Sequence, residues 1–300
     1  MLDLRRLRLL SELSRRGTIA EVARVVGYTP SAISQSLAQL EQEAGIALLE
    51  RDGRRVRLTP AAHGLVARTD RVLAELDAAE ADLAAEHETV SGSIVIGAFP
   101  SAAAGLVVPA LNDLSERHLD LACTVREHEP EDGIPLLRSG QLDLLVSESY
   151  DGVDRAPIGG LESRLLMTEP LLLVLPKGDR TREPVALDDH SDARWIGGLA
   201  GTQFAAALDE ACRSAGFAPQ VVHRADDALL LQALVGSGLG IALLPRLACC
   251  GSDDVRFAEV APPPPRRHVW ALVRRGAARR PALAATLDAL RRGASRKQRR

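Results

Sequence analysis

Residues 18–58 read TIAEVARVVGYTPSAISQSLAQLEQEAGIALLERDGRRVRL, and this stretch decides the fold of the N-terminal part of the chain. Thr18 opens a capping-box pattern, which predicts a short helix over Ile19–Val26. After a glycine-containing turn, Thr29 is a good N-cap and a proline follows it, so a second helix is predicted over Pro30–Ala44. Two short helices joined by such a turn are typical of a helix-turn-helix.

The segments on either side of the two helices complete this unit. Leucines that recur every three residues predict a helix over Leu4–Arg16. Asp52-Gly53 lies between two strand-like runs and predicts a hairpin, residues 46–58, which four arginines make basic. Residues 1–58 carry ten arginines and seven acidic residues, a net charge of +3 in a chain of net charge −3. A basic wing favours contact with DNA, although a three-helix bundle with a solvated hairpin is the alternative.

One face of the Pro30–Ala44 helix is rich in hydroxyl and amide side chains. Such short polar groups can approach base edges in a major groove, and glutamine can pair with adenine through two hydrogen bonds. We therefore expect this helix and the basic wing to read DNA. The candidate DNA-binding residues are Thr29, Pro30, Ser31, Ser34, Gln35, Gln39, Arg51, Arg54 and Arg55.

The next segment, residues 59–90, is predicted to be a helix about 45 Å long. Mostly apolar positions alternate at spacings of four and three, which is a heptad seam and favours pairing with a second copy. The seam is weak at Thr69, Ala79 and Glu86, so dimer stability needs contacts elsewhere. A helix packed on its own domain is the alternative; charged opposite faces and no adjacent partner segment weigh against it. The candidate dimerisation residues are Leu65, Val72, Leu76 and Leu83.

The remainder of the chain alternates short apolar runs with helical patterns. This alternation predicts an α/β fold with mostly parallel sheets, and about 200 residues are enough for two small lobes. We expect this domain to span residues 91–293 and a disordered basic tail to follow at 294–300. Residues 91–262 carry a net charge of −12 and residues 263–300 a net charge of +11.

Several motifs resemble the LysR-type transcriptional regulators. The matching runs are Leu2-Asp-Leu-Arg-Arg-Leu, Gly27-Tyr-Thr-Pro-Ser-Ala-Ile-Ser-Gln, Leu40-Glu, Gly45-Ile-Ala-Leu-Leu-Glu-Arg, Leu58-Thr-Pro-Ala, Leu136-Leu-Arg-Ser-Gly-Gln-Leu-Asp and Val235-Gly-Ser-Gly-Leu-Gly-Ile-Ala-Leu-Leu-Pro. The resemblance implies an N-terminal winged helix-turn-helix (1–58), a dimerising linker helix (59–90) and a two-lobed effector domain similar to periplasmic binding proteins. It implies lobes of about 92–162 plus 268–293, and 163–267. Pro30 and Leu49 depart from residues common in the family, which changes one polar contact and one core position.

An effector site is expected where strands end and helices begin. By the resemblance, the loops after Ile94–Gly97 and Trp195–Gly197 face a cleft between the lobes. Free N–H groups at the helix starts would favour a carboxylate or similar anion, whereas Glu148 would instead suit an amine. The candidate effector-binding residues are Ser101, Ala102, Ser147, Glu148, Thr202, Gln203 and His223.

The sequence supports catalysis, metal binding and membrane insertion less well than it supports DNA binding. The seven histidines and four cysteines show no metal-ligand spacing, and no nucleophile elbow is present. We therefore expect neither an enzyme nor a cofactor. The glycine run 236–240 precedes a strand, so it predicts a turn and not a phosphate cradle. No signal peptide or membrane-spanning run is evident, which predicts a cytoplasmic protein.

The sequence thus predicts a DNA-binding transcription regulator controlled by a small molecule. The expected partners are a double-stranded DNA operator, an effector of unknown identity, RNA polymerase and further copies of the chain, as a homodimer through the linker helix and then a homotetramer. One alternative is a redox-responsive regulator of the same fold that uses Cys123 or Cys212. A cytoplasmic solute-binding protein and an α/β enzyme with an N-terminal regulatory domain are two less favoured classes, because neither explains the basic N-terminal module together with the lack of catalytic motifs.

Overall fold

A computed structural model describes residues 1–52, 55–85, 90–153, 158–249 and 252–298; the side chains of residues 51, 52, 55, 80, 84 and 85 lie outside that description. Helices α1 (Leu4–Arg16), α2 (Ile19–Val26) and α3 (Pro30–Ala44) form the N-terminal domain with the strands β1 (Leu49–Asp52) and β2 (Arg55–Leu58). All three predicted helices are confirmed at both ends.

Local hydrogen bonds explain why these helices begin where they do. The hydroxyl of Thr18 accepts the N–H of Glu21, and the hydroxyl of Thr29 accepts the N–H of Ala32. Between α2 and α3, Gly27 adopts φ +74°, a left-handed conformation that favours glycine. The three helices share a core whose fully buried members include Leu10, Leu13, Ile33, Leu37 and Leu40. The antiparallel β1–β2 pair confirms the predicted wing.

The linker helix α4 (Pro60–Ala85) packs along one face against its own chain. Ala62, Thr69, Asp77 and Ala81 are buried on that face, against α1 and a turn at Ala277–Arg279. The expectation that no segment of the chain lies beside this helix is therefore wrong, because the turn comes from a part of the sequence some 200 residues away. Within the described residues no helix is both long and apolar enough to cross a membrane.

The C-terminal domain contains nine strands and six helices in the described part of the chain. The strands are β3 (Gly92–Ala98), β4 (Leu121–Glu127), β5 (Leu144–Tyr150), β6 (Leu161–Pro176), β7 (Arg194–Gly197), β8 (Gln220–Arg224), β9 (Ala242–Pro245), β10 (Val255–Glu259) and β11 (Arg266–Arg274). The helices are α5 (Pro100–Ala102), α6 (Val108–Arg117), α7 (Pro130–Ser139), α8 (Gln203–Ser214), α9 (Ala228–Gly236) and α10 (Pro281–Gln298). A single π-helical turn, Ala103–Val107, joins α5 to α6.

Lobe one is built on one sheet, and lobe two has two groups of paired strands. In lobe one the strand order is β4–β3–β5–β11–β6, and in lobe two β6 pairs with β9 and β10 while β7 pairs with β8. The expectation of mostly parallel sheets is wrong: β11 runs antiparallel to β5 and β6, and β6 runs antiparallel to β9 and β10. The reason is that β6 and β11 are long returning strands, which the short apolar runs of the sequence do not reveal.

Strand β6 belongs to both lobes. Its pairing with β11 extends to Pro170, and its pairing with β9 begins at Leu171. The chain therefore passes from one lobe to the other in the middle of a strand. This crossing point brings the side chains near Glu169 to the boundary between the lobes.

The C-terminal residues are helical and not disordered as far as Gln298. Ala294 is fully buried within α10, and the side chain of Gln298 donates to the carbonyl of Thr168 at 3.4 Å. The predicted disordered tail is wrong for residues 294–298, because the apolar face of α10 continues past its glycine and packs on the domain. Residues 299 and 300 lie outside the described range.

Replacing Gly276 with alanine tests the packing of the linker helix. Gly276 has φ +87°, and a Cβ there would lie 2.5 Å from the carbonyl oxygen of Ala74 and 3.2 Å from the nitrogen of Ala78. Both atoms are backbone, so the helix must move away. We expect Gly276→Ala to lower the free energy of unfolding, measured with urea, by about 3–5 kcal/mol.

Gly216→Ala is the matched control, because Gly216 has φ +90° but nothing within 4 Å of the added carbon. It should cost only the backbone strain, about 1–2 kcal/mol. Equal losses in the two variants would contradict the close approach of α4 to the turn.

Candidate functional site: a DNA-reading helix and an acidic cleft

Helix α3 presents its predicted polar face to solvent. Its buried side carries Ile33, Leu37 and Leu40, and the six candidate residues on the other side are exposed: Thr29, Pro30, Ser31, Ser34, Gln35 and Gln39. The hydroxyls of Thr29 and Ser31 lie 3.0 Å apart, which orients them at the start of the helix. This polar surface is unobstructed within the described part of the chain.

Two further features of this domain bear on DNA contact. Tyr28 is 60% exposed beside the start of α3, and the sequence reasoning missed it because an aromatic residue in a turn is not a distinctive signal. The wing candidates cannot be placed: Arg54, and the side chains of Arg51 and Arg55, lie outside the described residues.

The candidate dimerisation residues do not share one environment. Leu65 is half-buried against the helix-turn-helix core, whereas Val72, Leu76 and Leu83 are 49%, 37% and 72% exposed. Helix α4 thus has an inner face used within the chain and an outer apolar face that is open.

A cavity of about 350 Å³ lies between the two lobes. Lobe one contributes the start of α5 and α7 and the end of β5, and lobe two contributes the starts of α8 and α9. Four predicted residues line this cavity, namely Ser101, Glu148, Thr202 and Gln203.

The other three predicted effector residues are not among those that line the cavity. Ala102 is fully buried in the core of lobe one, and His223 is exposed on β8. Ser147 is buried on the face of β5 opposite to Glu148, because successive side chains of a strand point to opposite sides. Tyr150, on the same face as Glu148, lines the cavity instead.

Arg267 is the central residue of the cleft, and the sequence reasoning missed it. It lies near the start of β11 and is only 3% exposed. Its Nε and Nη2 donate to Oε1 of Glu169 at 2.8 and 2.6 Å, and its Nη1 donates to Oε2 of Glu148 at 3.0 Å and to the hydroxyl of Ser101 at 3.1 Å. The guanidinium also lies 5.0 Å from the ring centroid of Phe99.

The buried groups around Arg267 complete a network. Tyr150 donates its hydroxyl to Glu148 at 3.0 Å, and the N–H of Leu247 donates to Glu169 at 2.7 Å. Burial alone would lower the pKa of Arg267, but Tyr150 and the two carboxylates raise it. Burial raises the pKa of Glu148, and the Arg267 charge opposes that rise. The arginine is therefore fixed in its charged form by protein groups alone.

The exposed walls of the cleft are acidic. Together with Glu148, the carboxylates that line the cavity are Glu129, Glu131, Asp132, Asp226 and Asp227. The pKa of Glu129 rises to about 7, first because the cleft removes part of its hydration and then because Glu148, Glu131, Asp226 and Glu127 are nearby. In the described part of the chain no group of three metal-binding side chains forms.

Two of the four helix starts at the cleft, those of α8 and α9, are already capped by side chains, whereas α5 and α7 have no side-chain cap. The hydroxyl of Thr202 accepts the N–H of Ala205 at 3.1 Å, and Asp227 accepts the N–H of Leu230 at 2.7 Å. Asp226 accepts the N–H of Leu199 at 2.8 Å. These bonds weaken the case for a carboxylate ligand at the starts of α8 and α9, which depended on free N–H groups. By contrast, Oε1 of Gln203 is buried with no hydrogen-bond partner among the described residues.

The thiols do not form an evident redox pair in the described part of the chain. Burial raises the pKa of Cys212 to about 12 and also raises the pKa of Cys123. A raised pKa lowers the thiolate fraction, and the thiolate is the reactive form. Cys123, Cys212 and Cys249 are not in disulfides, and Cys250 lies outside the described residues. This geometry does not favour the redox alternative.

Comparisons with known proteins agree with the fold. Residues 4–63 match the family described as bacterial regulatory helix-turn-helix protein, lysR family, and residues 87–295 match the LysR substrate binding domain. The arrangement is that of a bacterial transcription regulator with an effector domain. The chain belongs to the LysR family, whose members bind DNA and small-molecule effectors and form oligomers.

Individual relatives are distant. The chain is 25% identical over 264 residues to the transcriptional dual regulator GltC of Bacillus subtilis, covering 87% of this chain and 84% of that protein. It is 29% identical over 301 residues to a probable hydrogen peroxide-inducible genes activator of Streptomyces viridosporus, covering 92% and 89%. Full-length OxyR from Pseudomonas aeruginosa, with a cysteine-to-aspartate substitution, has a TM-score of 0.66 at 20% identity, covering 97% and 95%. That last likeness shows the fold alone.

Removing Arg267 tests the network at the centre of the cleft. Arg267→Met leaves Glu169 and Glu148 buried without their counter-ion, so we expect the free energy of unfolding to fall by about 3–5 kcal/mol. The loss should be smaller near pH 5 than near pH 8, since protonation relieves the unpaired carboxylates. The adjacent Arg266 is exposed, and Arg266→Met should change stability by less than about 0.5 kcal/mol. Similar losses in both variants would contradict the role of Arg267.

Replacing Glu129 tests the electrostatics of the cleft wall. Because its pKa rises from 4.5 to about 7, the folded chain retains a proton that the unfolded chain has released, and stability falls as pH rises through that window. Glu129→Gln should therefore be more stable than the unmodified protein near pH 8, by about 1 kcal/mol after solvent screening, and equal to it near pH 4.

Thermal unfolding across pH measures this difference. Glu116→Gln, at an exposed position of α6, is the control and should show no such pH dependence. A stabilisation that is the same at every pH would rule out the raised pKa of Glu129.

Proposed function

We propose that this chain regulates transcription by binding an operator whose two half-sites are related by a twofold axis. Its affinity for that operator changes when a small molecule occupies the cleft. The observation that supports this most directly is the double role of α7. Residues 129–132 at its start line the cavity, and the same helix packs against α2 of the helix-turn-helix. One rigid element thus touches both the sensor and the reader.

The reading surface of the proposed regulator is the exposed face of α3. Its serine, threonine and glutamine side chains suit base edges. The basic wing would add phosphate contacts that carry little sequence information. Since the described reading face has no partner within the described chain, a DNA duplex would meet it without rearrangement of the domain.

Coupling between the sites would pass through the contact of α2 with α7. Arg24 lies 3.8 Å from Asp132 through Nη2 and Oδ1, and it is also held by Glu21 on its own helix. A ligand that draws Asp132 into the cleft weakens this contact, and a ligand that shifts α7 moves its packing against α2. Either change alters the position of α3 relative to the α3 helix of a second chain. A small movement of α7 would thereby change the affinity for the operator.

A pair of chains would present two readers to the DNA. Val72, Leu76 and Leu83 leave an apolar stripe on the outer face of α4, and a second copy of the helix would bury it. A twofold pair matches a twofold-related operator. Such a regulator works where chromosomal DNA is, in the cytoplasm, and needs no catalytic group.

Substitutions on α3 test the proposed reading surface. We expect Ser34→Ala with Gln35→Ala to remove the preference for the operator over unrelated DNA, a loss of about 1–3 kcal/mol per base contact. Fluorescence anisotropy with operator DNA and with unrelated DNA measures the difference between the two affinities. Gln42→Ala, at an exposed position near the end of α3 and about 10 Å further along the helix, is the control and should keep the preference.

Arg54→Ala separates phosphate contact from base reading in the same assay. It should weaken binding to all DNA. It should also reduce the slope of the logarithm of the binding constant against the logarithm of the salt concentration by about one unit. Operator preference that survives the double substitution on α3 would show that another surface reads the sequence.

A further inference from the structure

The cleft carries far more negative than positive charge, and this imbalance constrains the ligand that the proposed regulator senses. Six carboxylates line the cavity, and Arg267 is the cation among the described residues that line it. If the proposed function is right and the cleft is the effector site, the charge of its walls must match the charge of the effector.

Arg267 is not available to an anionic ligand. Its three nitrogen atoms already donate to Glu169, Glu148 and Ser101 at 2.6–3.1 Å. A carboxylate that reached it would have to displace the hydroxyl of Ser101 or a buried glutamate, and a displaced glutamate would be left without a partner, which costs several kcal/mol. The arginine therefore neutralises the protein's own carboxylates and does not make the cleft a receptor for acids.

An acceptor that lacks a donor points to a ligand with N–H groups. Oε1 of Gln203 is buried at the cavity with no partner among the described residues, and a buried unsatisfied acceptor is costly until a donor reaches it. Asp226 and Asp227 each use Oδ1 for a backbone N–H group and are exposed at the cavity. Ammonium groups are donors without acceptors and suit such oxygen atoms.

The carboxylates that line the cleft come from both lobes. Lobe one contributes Glu129, Glu131 and Asp132, and lobe two contributes Asp226 and Asp227. The rings of Phe99, Tyr150 and Phe204 also line the cavity. A ligand with two cationic ends joined by a short apolar chain would pair with carboxylates of both lobes and hold the lobes together.

We propose that the cleft binds an unbranched aliphatic diamine, protonated at both nitrogen atoms, with one ammonium group at the start of α7 and the other at the start of α9 beside Gln203. The diamine bridges the lobes, and its first ammonium group competes with Arg24 for Asp132. Occupancy is thereby linked to the contact between α7 and α2.

The ionisation of Glu129 makes this binding depend on pH. Glu127, Glu131, Glu148 and Asp226 raise its pKa to about 7 after the loss of hydration, and Asp132, Asp227 and Arg267 line the same cavity. A cation nearby favours the charged form, so diamine binding releases a proton from Glu129. Affinity therefore falls as pH is lowered from about 8 to about 6.

Isothermal titration of the full chain tests the proposal with 1,4-diaminobutane as the probe. Butylamine has the same carbon chain and one charge, succinate has the same carbon chain and the opposite charge, and magnesium chloride tests a divalent cation. We expect the diamine to bind, butylamine to bind about tenfold or more weakly, and succinate and magnesium to give no binding. Succinate binding, magnesium binding that displaces the diamine, or no diamine binding up to about 10 mM would each overturn the proposal.

Variants of the cleft wall give an independent readout. Glu129→Gln and Glu131→Gln should each weaken diamine binding about tenfold, and Glu129→Gln should also remove most of its dependence on pH. Glu116→Gln, outside the cleft, should leave both unchanged. Equal affinities for all three variants would place the diamine elsewhere and overturn the proposal.

Operator titrations without ligand separate this proposal from the proposed function. If the chain binds its operator sequence-specifically but does not bind diamines, the proposal of a diamine ligand is wrong and the proposed function as a regulator stands. If the chain binds the diamine but has no preference among DNA sequences, the proposed function is wrong and the proposed ligand class stands.

Discussion

The hydrogen-bonded charge network around Arg267 is the constraint that holds the effector domain together. Its guanidinium joins β11 to Glu148 on β5 and Glu169 on β6, and Glu169 in turn accepts the N–H of Leu247 from lobe two. The two lobes meet at this network because β6 passes from one sheet to the other at Pro170. Breaking it would leave buried carboxylates unpaired, so it fixes both the relative position of the lobes and the charge of the cleft.

Communication between the cleft and the DNA reader follows from the same network. Arg267 is already hydrogen-bonded to carboxylates of the protein itself. The charged residues that can contact a ligand are therefore the acidic ones at the starts of α7 and α9. Helix α7 also packs against α2, and the proposed regulation uses this contact to link the charge state of the cleft to the position of the DNA reader. Only a few kcal/mol of differential binding between two positions of α7 are needed for a useful change in operator affinity.

The sequence predicted local structure well because its signals are local. Thr29 with Pro30 marks the start of α3, and the Asp52-Gly53 pair marks the wing, so the exposed polar face of α3 could be predicted without coordinates. The centre of the cleft could not, since Arg267 lies 98 residues from Glu169 and 119 from Glu148 and has no motif around it. Likewise, the raised pKa of Glu129 depends first on its burial in the cleft and then on carboxylates from three segments, and α4 packs on a turn far along the chain.

Amide hydrogen exchange in the full chain, followed during a titration with 1,4-diaminobutane, tests whether α7 links the acidic cleft to the DNA reader. We expect exchange to change in α7, residues 130–139, and in α2, residues 19–26, at the same ligand concentration, because one packed contact joins them. Changes confined to the residues that line the cleft, with α2 unaffected at saturation, would contradict this link.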